Sequence, residues 1–153
     1  MSTTAPKPDV PTLATIGYEG ASLSAVIGKL KAARVELVID VRAVAASRRP
    51  GFSKTILGES LAEAGIGYRH LRALGTPKAG REAAHAGRTA EMHAIYEGHL
   101  EEPAAQAELA AAIELAAALP CALLCYEADA AQCHRTIVAR RIRARLGCKV
   151  EDL

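Results

Sequence analysis

Short apolar runs typical of buried strands alternate with segments of helical periodicity along most of the chain. The apolar runs lie at 13–16, 36–41, 67–71, 122–125 and 149–153. Parallel strands need such crossover segments between them, whereas antiparallel hairpins can be joined by short turns. The alternation therefore predicts an α/β fold, a single three-layer domain in which helices flank a mainly parallel sheet of about five strands.

The length of 153 residues fits one domain of this kind. Residues 1–11 contain three prolines and no apolar run, so we expect a disordered leader there and the α/β domain over 12–153. No segment approaches the roughly 18 apolar residues of a membrane-spanning helix, and no signal peptide is recognisable. We therefore expect a cytoplasmic protein with no membrane partner, and the sequence leaves its oligomeric state open.

Capping residues and glycines predict where the helices begin and end. Ser22 and Ser53 are the expected N-caps of the first two helices, and Gly65 is the expected stop of the second. The alanine-rich stretch 74–119 is interrupted by glycines and prolines, which predicts two or three helices. A final helix is predicted over 135–146.

Polar residues follow the predicted strands at their carboxyl ends, where ligands of open α/β sheets bind. Asp40 and Arg42 end the second strand and point to the same side of an extended segment. Since Asp40 lies in an apolar run, we expect it to pair with Arg42. Glu19 follows the first strand and His70 ends the third. We expect these four residues to contribute to substrate binding in one cleft.

Further arginines lie where they could bind an anion. Arg48 and Arg49 precede a Pro-Gly turn, and Arg135 begins the last predicted helix. A guanidinium group binds phosphate or carboxylate through paired hydrogen bonds, and a helix N-terminus attracts negative charge. We therefore expect Arg42, Arg48, Arg49 and Arg135 to hold an anionic substrate, with the Arg48-Arg49 loop and Arg135 sharing the anion.

The segment 125–136 joins an apolar strand to a basic helix and contains Cys125, Glu127, Cys133 and His134. These residue types supply nucleophiles and acid–base groups, so we treat the four as candidate catalytic residues. The helix start and His134 favour a thiolate at Cys133, and Cys125 is the alternative nucleophile. A metal site formed by Cys125, Cys133, His134 and His70 is a less favoured alternative, because the Cys-x7-Cys-His spacing differs from that of common zinc sites. The sequence therefore predicts no metal site, and it indicates no cofactor.

The same residues carry a resemblance to a known family. The matching motifs, in chain order, are Thr15-Ile16-Gly17, Leu37 to Arg42, Ser47 to Ser53, Gly67 to Leu71, Leu74-Gly75, Cys125-x-Glu127 and Cys133-His134-Arg135. From them the chain is identified as a member of the domain of unknown function 488 family of bacteria and archaea. The resemblance implies an α/β fold and brings no established reaction.

A weaker resemblance is to rhodanese-like domains. They share a strand that ends in Asp-x-Arg and a strand that ends in a cysteine, followed by a loop that leads to a helix through an arginine. This resemblance implies sulfur-transfer chemistry, with Cys125 as the nucleophile and Arg135 as the arginine of the loop.

Three functions therefore compete. The favoured one is an enzyme-like domain acting on a nucleotide, a nucleic acid or another phosphorylated molecule. The second is a non-catalytic module that docks residues 135–149, with six basic residues and no acid, on nucleic acid or a protein. The third is rhodanese-like thiol chemistry. With one Phe and no Trp, the chain lacks the aromatic platforms of single-strand binders.

Overall fold

A computed structural model describes residues 10–153. Over those residues it contains five strands and six α-helices, which confirms the predicted α/β class. The elements are β1 Leu13–Gly17, α1 Leu23–Ala32, β2 Leu37–Asp40, α2 Lys54–Glu63, β3 Gly67–His70, α3 Lys78–His85, α4 Thr89–His99, α5 Pro103–Ala118, β4 Cys121–Cys125, α6 Arg135–Leu146 and β5 Val150–Asp152. Short 3-10 turns lie at Arg72–Leu74 and Ala130–Gln132.

The five strands form one sheet in the order β3-β2-β4-β1-β5, and every neighbouring pair is parallel. Gly17 lies opposite Cys125, and Asp40 lies opposite both Leu124 and His70. The carboxyl ends of β1 to β4 therefore meet at one edge of the sheet. Since β4 lies between β2 and β1, the end of β4 is flanked by both of their ends.

Helices cover both faces of the sheet and bury its apolar side chains. On one face, α1 and α2 contribute Leu30 and Leu61 to the core. On the other, Tyr96 of α4, Leu109 of α5 and Ile142 of α6 do the same. The central strands are buried on both faces, which explains why their sequences are apolar runs and not alternating patterns.

The predicted caps are correct at the first helix and only partly so at the second. The Ser22 hydroxyl accepts a hydrogen bond from the Ala25 amide at 3.1 Å. Ser53 occupies the N-cap position of α2, but its hydroxyl accepts from the Ser47 amide at 3.0 Å and caps no helix amide. Ser53 instead closes the loop that precedes α2. Gly65 has a φ of 78°, the left-handed conformation expected after a helix.

The ends and the middle of the chain complete the description. Residues 1–9 of the predicted leader lie outside the described residues, and Val10 packs half-buried against the core on the α4–α6 face. The alanine-rich middle forms three α-helices, the upper of the two numbers predicted. Within residues 10–153, no helix is long and apolar enough to cross a membrane.

Candidate functional site

A cleft of about 660 Å³ opens at the carboxyl edge of the sheet. Its floor is formed by the ends of the central strands and its walls by the loops after β2 and β4, together with α3. Five of the residues predicted from the sequence line it, namely Arg42, Arg48, Cys125, Glu127 and His134. The cleft therefore lies at the carboxyl ends of the strands, where the sequence predicts the candidate site.

Asp40 and Arg42 form the buried ion pair expected from the sequence. Both are buried, and the Arg42 Nη2 lies 2.7 Å from Asp40 Oδ2. Arg42 donates to Asp40 through its backbone amide and Nε as well, and Tyr68 donates its hydroxyl to Asp40 Oδ2 at 2.5 Å. The carboxylate is thus held by four donors and is inaccessible to a substrate.

The guanidinium of Arg42 is almost fully used inside the protein. Its Nη1 donates to the Tyr18 hydroxyl at 3.1 Å and to the Phe52 carbonyl at 2.7 Å. With the bonds to Asp40, four of its five N–H groups are occupied. Arg42 therefore orders the loop after β2, and only one N–H remains for a ligand in the cleft.

At the end of β4, two thiols converge on one imidazole. The Nδ1 of His134 lies 3.6 Å from the Sγ of Cys125 and 3.7 Å from the Sγ of Cys133. Cys125 also lies 3.2 Å from Glu127 Oε2. Cys125 and Glu127 line the cleft, whereas Cys133 is completely buried behind them. The four candidate catalytic residues thus form one cluster with a side open to solvent.

The orientation of His134 is fixed from behind. Its Nε2 lies 2.7 Å from the Val41 carbonyl oxygen, which can only accept, so Nε2 carries the proton in the neutral ring and Nδ1 presents a lone pair. The ring of Tyr96 packs edge-on against the imidazole at 4.9 Å, and the Tyr96 hydroxyl donates to the Leu74 carbonyl. The imidazole is therefore held with Nδ1 toward the thiols.

Burial and mutual charge shift the pKa values of this cluster. Burial opposes ionisation of Cys133, but a hydrogen bond from Cys125 and the charge of His134 lower its pKa well below the ordinary value. Burial and the Cys133 sulfur raise the pKa of Cys125 and of Glu127. Burial would lower the pKa of His134, but the Cys133 charge raises it overall. The sequence predicts a lower pKa for Cys133 than for Cys125. This order stays a prediction, which alkylation of the two thiols followed across pH would test.

The loop after β4 is attached to the end of β1. The Glu19 amide donates to the Tyr126 carbonyl at 2.8 Å, and the Ala128 amide donates to the Glu19 carboxylate at 3.1 Å. A Cβ at Gly17 would lie 1.7 Å from the Glu127 carbonyl oxygen, so only glycine permits this approach. Glu19 therefore positions the loop and is not among the residues that line the cleft, so the substrate-binding role expected of it stays a prediction.

Arg135 begins α6 as predicted, but its side chain does not line the cleft. It is wholly buried, and its guanidinium donates to the carbonyls of Glu127 and Ala128. Its Nε has no hydrogen-bond partner among the described residues. Because buried carbonyls require donors, this arginine is used to hold its own loop and not to face the cleft.

The expected sharing of an anion between the Arg48-Arg49 loop and Arg135 is not supported by these positions. Arg48 is exposed and lines the cleft, but Arg49 donates to the Ala21 carbonyl. His70 is likewise turned inward, with its Nε2 2.7 Å from the Arg42 carbonyl. For Arg49, His70 and Arg135, a nearby backbone carbonyl accepts the hydrogen bond that was expected to go to a substrate.

Two basic residues of the cleft were missed from the sequence. Arg81 and His85 reach it from α3, and the Arg81 Nη1 donates to the Thr76 carbonyl at 2.8 Å. The start of α3 lies close to the loop after β2, because a Cβ at Gly75 would meet the Ala43 backbone at 2.2 Å. In the sequence, only Gly75 indicates a close approach of the backbone at this point. A glycine does not show which segment of the chain approaches it.

Comparisons with known proteins bear on the family and not on the reaction. No curated protein and no solved structure matches the chain. The likeness to rhodanese-like domains therefore has no structural neighbour to support it. The sequence profile of the family described as Domain of unknown function DUF488 matches residues 22–142, most of the described chain. The strand-end motifs quoted above fall within or beside that range, and the chain belongs to the DUF488 family.

Proposed function

We propose that the protein is an enzyme that acts on a small anionic substrate, a nucleotide or another phosphorylated molecule, bound at the carboxyl edge of the sheet. One observation supports this most directly. A single cleft contains basic side chains on its wall and the Cys125, Glu127 and His134 cluster on its floor. A module that only docks on a partner has no need for converging thiol, carboxyl and imidazole groups.

The charge of the cleft suits an anion. Arg48, Arg81 and His85 lie on its walls, and Arg48 is exposed. Among the described residues that line the cleft, Glu127 is the sole acid. Burial raises the pKa of Glu127, a direction that disfavours its charged form. In this proposal Arg48 and Arg81 bind the anion, the role that the sequence predicted for Arg48 together with Arg49 and Arg135.

The cleft also offers apolar surface at its mouth. Val44 is 56% exposed and Tyr126 is 41% exposed, and both belong to its lining. An exposed aromatic ring in the same cleft as arginine side chains favours a substrate with a planar or apolar group attached to its anionic one. This combination supports the nucleotide class over inorganic phosphate alone.

Binding is tested by calorimetry with AMP and with inorganic phosphate. Replacing Arg48 and Arg81 together by alanine removes the two guanidinium groups of the walls and should weaken AMP binding by about 10- to 100-fold. The matched control replaces Arg69 and Arg145, which are exposed elsewhere, and changes the net charge equally. Equal affinity of the two double variants would contradict the proposed anion site.

A second measurement asks whether the anion lies beside the reacting groups. Saturating AMP should slow alkylation of Cys125 by iodoacetamide, measured with a chelator present so that no metal ion covers the thiol. The Arg48→Ala/Arg81→Ala variant should lose this protection. Cys148 is the internal reference, because it is 5% exposed against 4% for Cys125. AMP binding without protection of Cys125 would favour the non-catalytic module.

The alternative docking surface on α6 is smaller than the sequence suggested. Arg135 is buried, and Arg141 pairs with Glu97 at 2.6 Å. Arg140, Arg143, Arg145 and Lys149 remain exposed there. Titration with a single-stranded oligonucleotide tests this alternative. Equal binding by the wild type and by the Arg48→Ala/Arg81→Ala variant would favour the docking module.

A further inference from the structure

The cluster at the end of β4 has the composition and the spacing of a metal site. Cys125 Sγ, Cys133 Sγ and His134 Nδ1 all lie within 4.8 Å of one another, and all three residues are buried. Tetrahedral zinc has bonds of about 2.3 Å to sulfur and about 2.0 to 2.1 Å to nitrogen, which separates the two ligand atoms by about 3.6 Å. The two sulfur–nitrogen distances in the cluster are 3.6 and 3.7 Å.

The histidine is prepared as a ligand. A metal binds the nitrogen that carries the lone pair, and the Val41 carbonyl assigns the proton to Nε2 and leaves Nδ1 free. A backbone carbonyl behind the second ring nitrogen is the usual support of metal-ligating histidines. The free lone pair of His134 is directed toward both sulfurs at once, although a single lone pair accepts a hydrogen bond from only one thiol.

The path of the chain explains why the spacing in sequence did not indicate this site. A common zinc motif brings two cysteines together within one tight turn, as in C-x2-C. Here the 3-10 turn at Ala130–Gln132 returns the loop, and Cys133 comes to lie beside the end of β4. A Cys-x7-Cys-His run thereby forms a three-ligand cluster.

We propose that Cys125, Cys133 and His134 bind a divalent ion of the zinc class, with its remaining position open to the cleft. Two sulfurs and one imidazole suit zinc better than magnesium or calcium, which prefer oxygen ligands. Three protein ligands with one open position are typical of catalytic sites and not of structural ones.

Glu127 lies next to the open side of this site. Its carboxylate is 3.2 Å from the Cys125 sulfur, and it lines the cleft. It can complete the ligand set or accept a proton from a water at the open position. The catalytic part of this inference rests on the function proposed above, because the ion would meet the anionic group of that substrate. The metal site itself does not depend on it.

Titration of the wild-type protein with Zn²⁺ alone tests the site. The protein is reduced, freed of metal with a chelator and followed by calorimetry, and we expect one ion per chain. Replacement of the ion by Co²⁺ should give the sulfur-to-cobalt charge-transfer absorption of thiolate ligation. Absence of saturable zinc binding, or cobalt binding without that absorption, would overturn the proposal.

A pair of matched variants tests whether the Cys133 sulfur is a ligand. Cys133→Ala should weaken zinc binding by about 100-fold, whereas Cys148→Ala, the same change at another buried cysteine, should leave it unchanged. Cys133→Ser keeps the size of the side chain and serves where the alanine variant does not fold. Zinc affinity equal to wild type in Cys133→Ser would refute ligation by that sulfur. AMP binding by the metal-free protein is measured separately, so failure of the substrate proposal is distinguishable from failure of the metal site.

Discussion

Two buried polar clusters lie at the same edge of the sheet, one at the end of β2 and one at the end of β4. At the end of β2, Asp40 is held by four donors and Arg42 uses four of its five N–H groups. At the end of β4, Cys125, Cys133 and His134 face one another, and one side of their cluster opens to the cleft. The carboxylate of the first cluster is saturated with donors, whereas the second cluster still has capacity to bind.

This difference separates structure from chemistry at one sheet edge. A saturated buried network fixes the backbone around it, since every group in it would be costly to leave unpaired. A cluster that shares one imidazole lone pair between two thiols has ligand capacity left over. The arginines of the two clusters also differ in their partners, because Arg42 neutralises a carboxylate while Arg135 makes no salt bridge within the described residues.

The largest effect is expected from breaking the saturated cluster. Asp40→Ala leaves the Arg42 charge buried without its partner and should lower the free energy of unfolding by about 3 to 5 kcal/mol. Denaturant unfolding measures it. The double variant Asp40→Leu/Arg42→Met removes both charges and should recover part of the loss. A loss below about 1 kcal/mol for the single variant would show that water or another group compensates the guanidinium.

A smaller effect is expected at the other arginine. Arg135→Met removes the donors of the Glu127 and Ala128 carbonyls, but it also removes a buried charge that has no ionic partner. The free energy of unfolding should fall by about 1 to 3 kcal/mol. Arg140→Met, an exposed position on the same helix, is the control and should be near neutral. A loss as large as that of Asp40→Ala would remove the distinction drawn between the clusters.

The smallest effect is expected from trimming the saturated cluster. Tyr68→Phe removes one donor to Asp40 and leaves the three from Arg42, so it should cost about 1 kcal/mol. Burial and the bond to Asp40 raise the pKa of Tyr68 above its ordinary value. The unfolded chain therefore loses this proton first, and stability falls as pH rises above about 10.

Denaturant unfolding at pH values below and above that point measures the slope. Tyr68→Phe should show a shallower decline than the wild type, because it lacks one titrating group. Tyr126→Phe, which removes the hydroxyl of a 41% exposed tyrosine, is the matched control. Identical slopes in all three proteins would contradict the contribution of Tyr68.

The Asp40–Arg42 pair shows how far local sequence can determine a site. Their spacing of two residues in a strand places both side chains on one side, and an aspartate in an apolar run needs a counter-charge. Arg49 and Arg135 show the limit of the same reasoning. Their partners, the carbonyls of Ala21, Glu127 and Ala128, become neighbours only in the folded chain. A sequence shows which residues can donate and does not show which acceptors will lie beside them.

The sequence by itself determined the α/β class, the parallel sheet and the edge where the candidate site lies, because these depend on apolar runs and on connections that are local along the chain. Only the tertiary structure decided that the side chains of Cys125, Cys133 and His134 form one cluster. It also decided that Arg81 lines the cleft while Arg135 does not. The physical reason is that these positions depend on the path of the loops. That path is set by backbone hydrogen bonds and close approaches between segments far apart in sequence, such as Gly17 against Glu127.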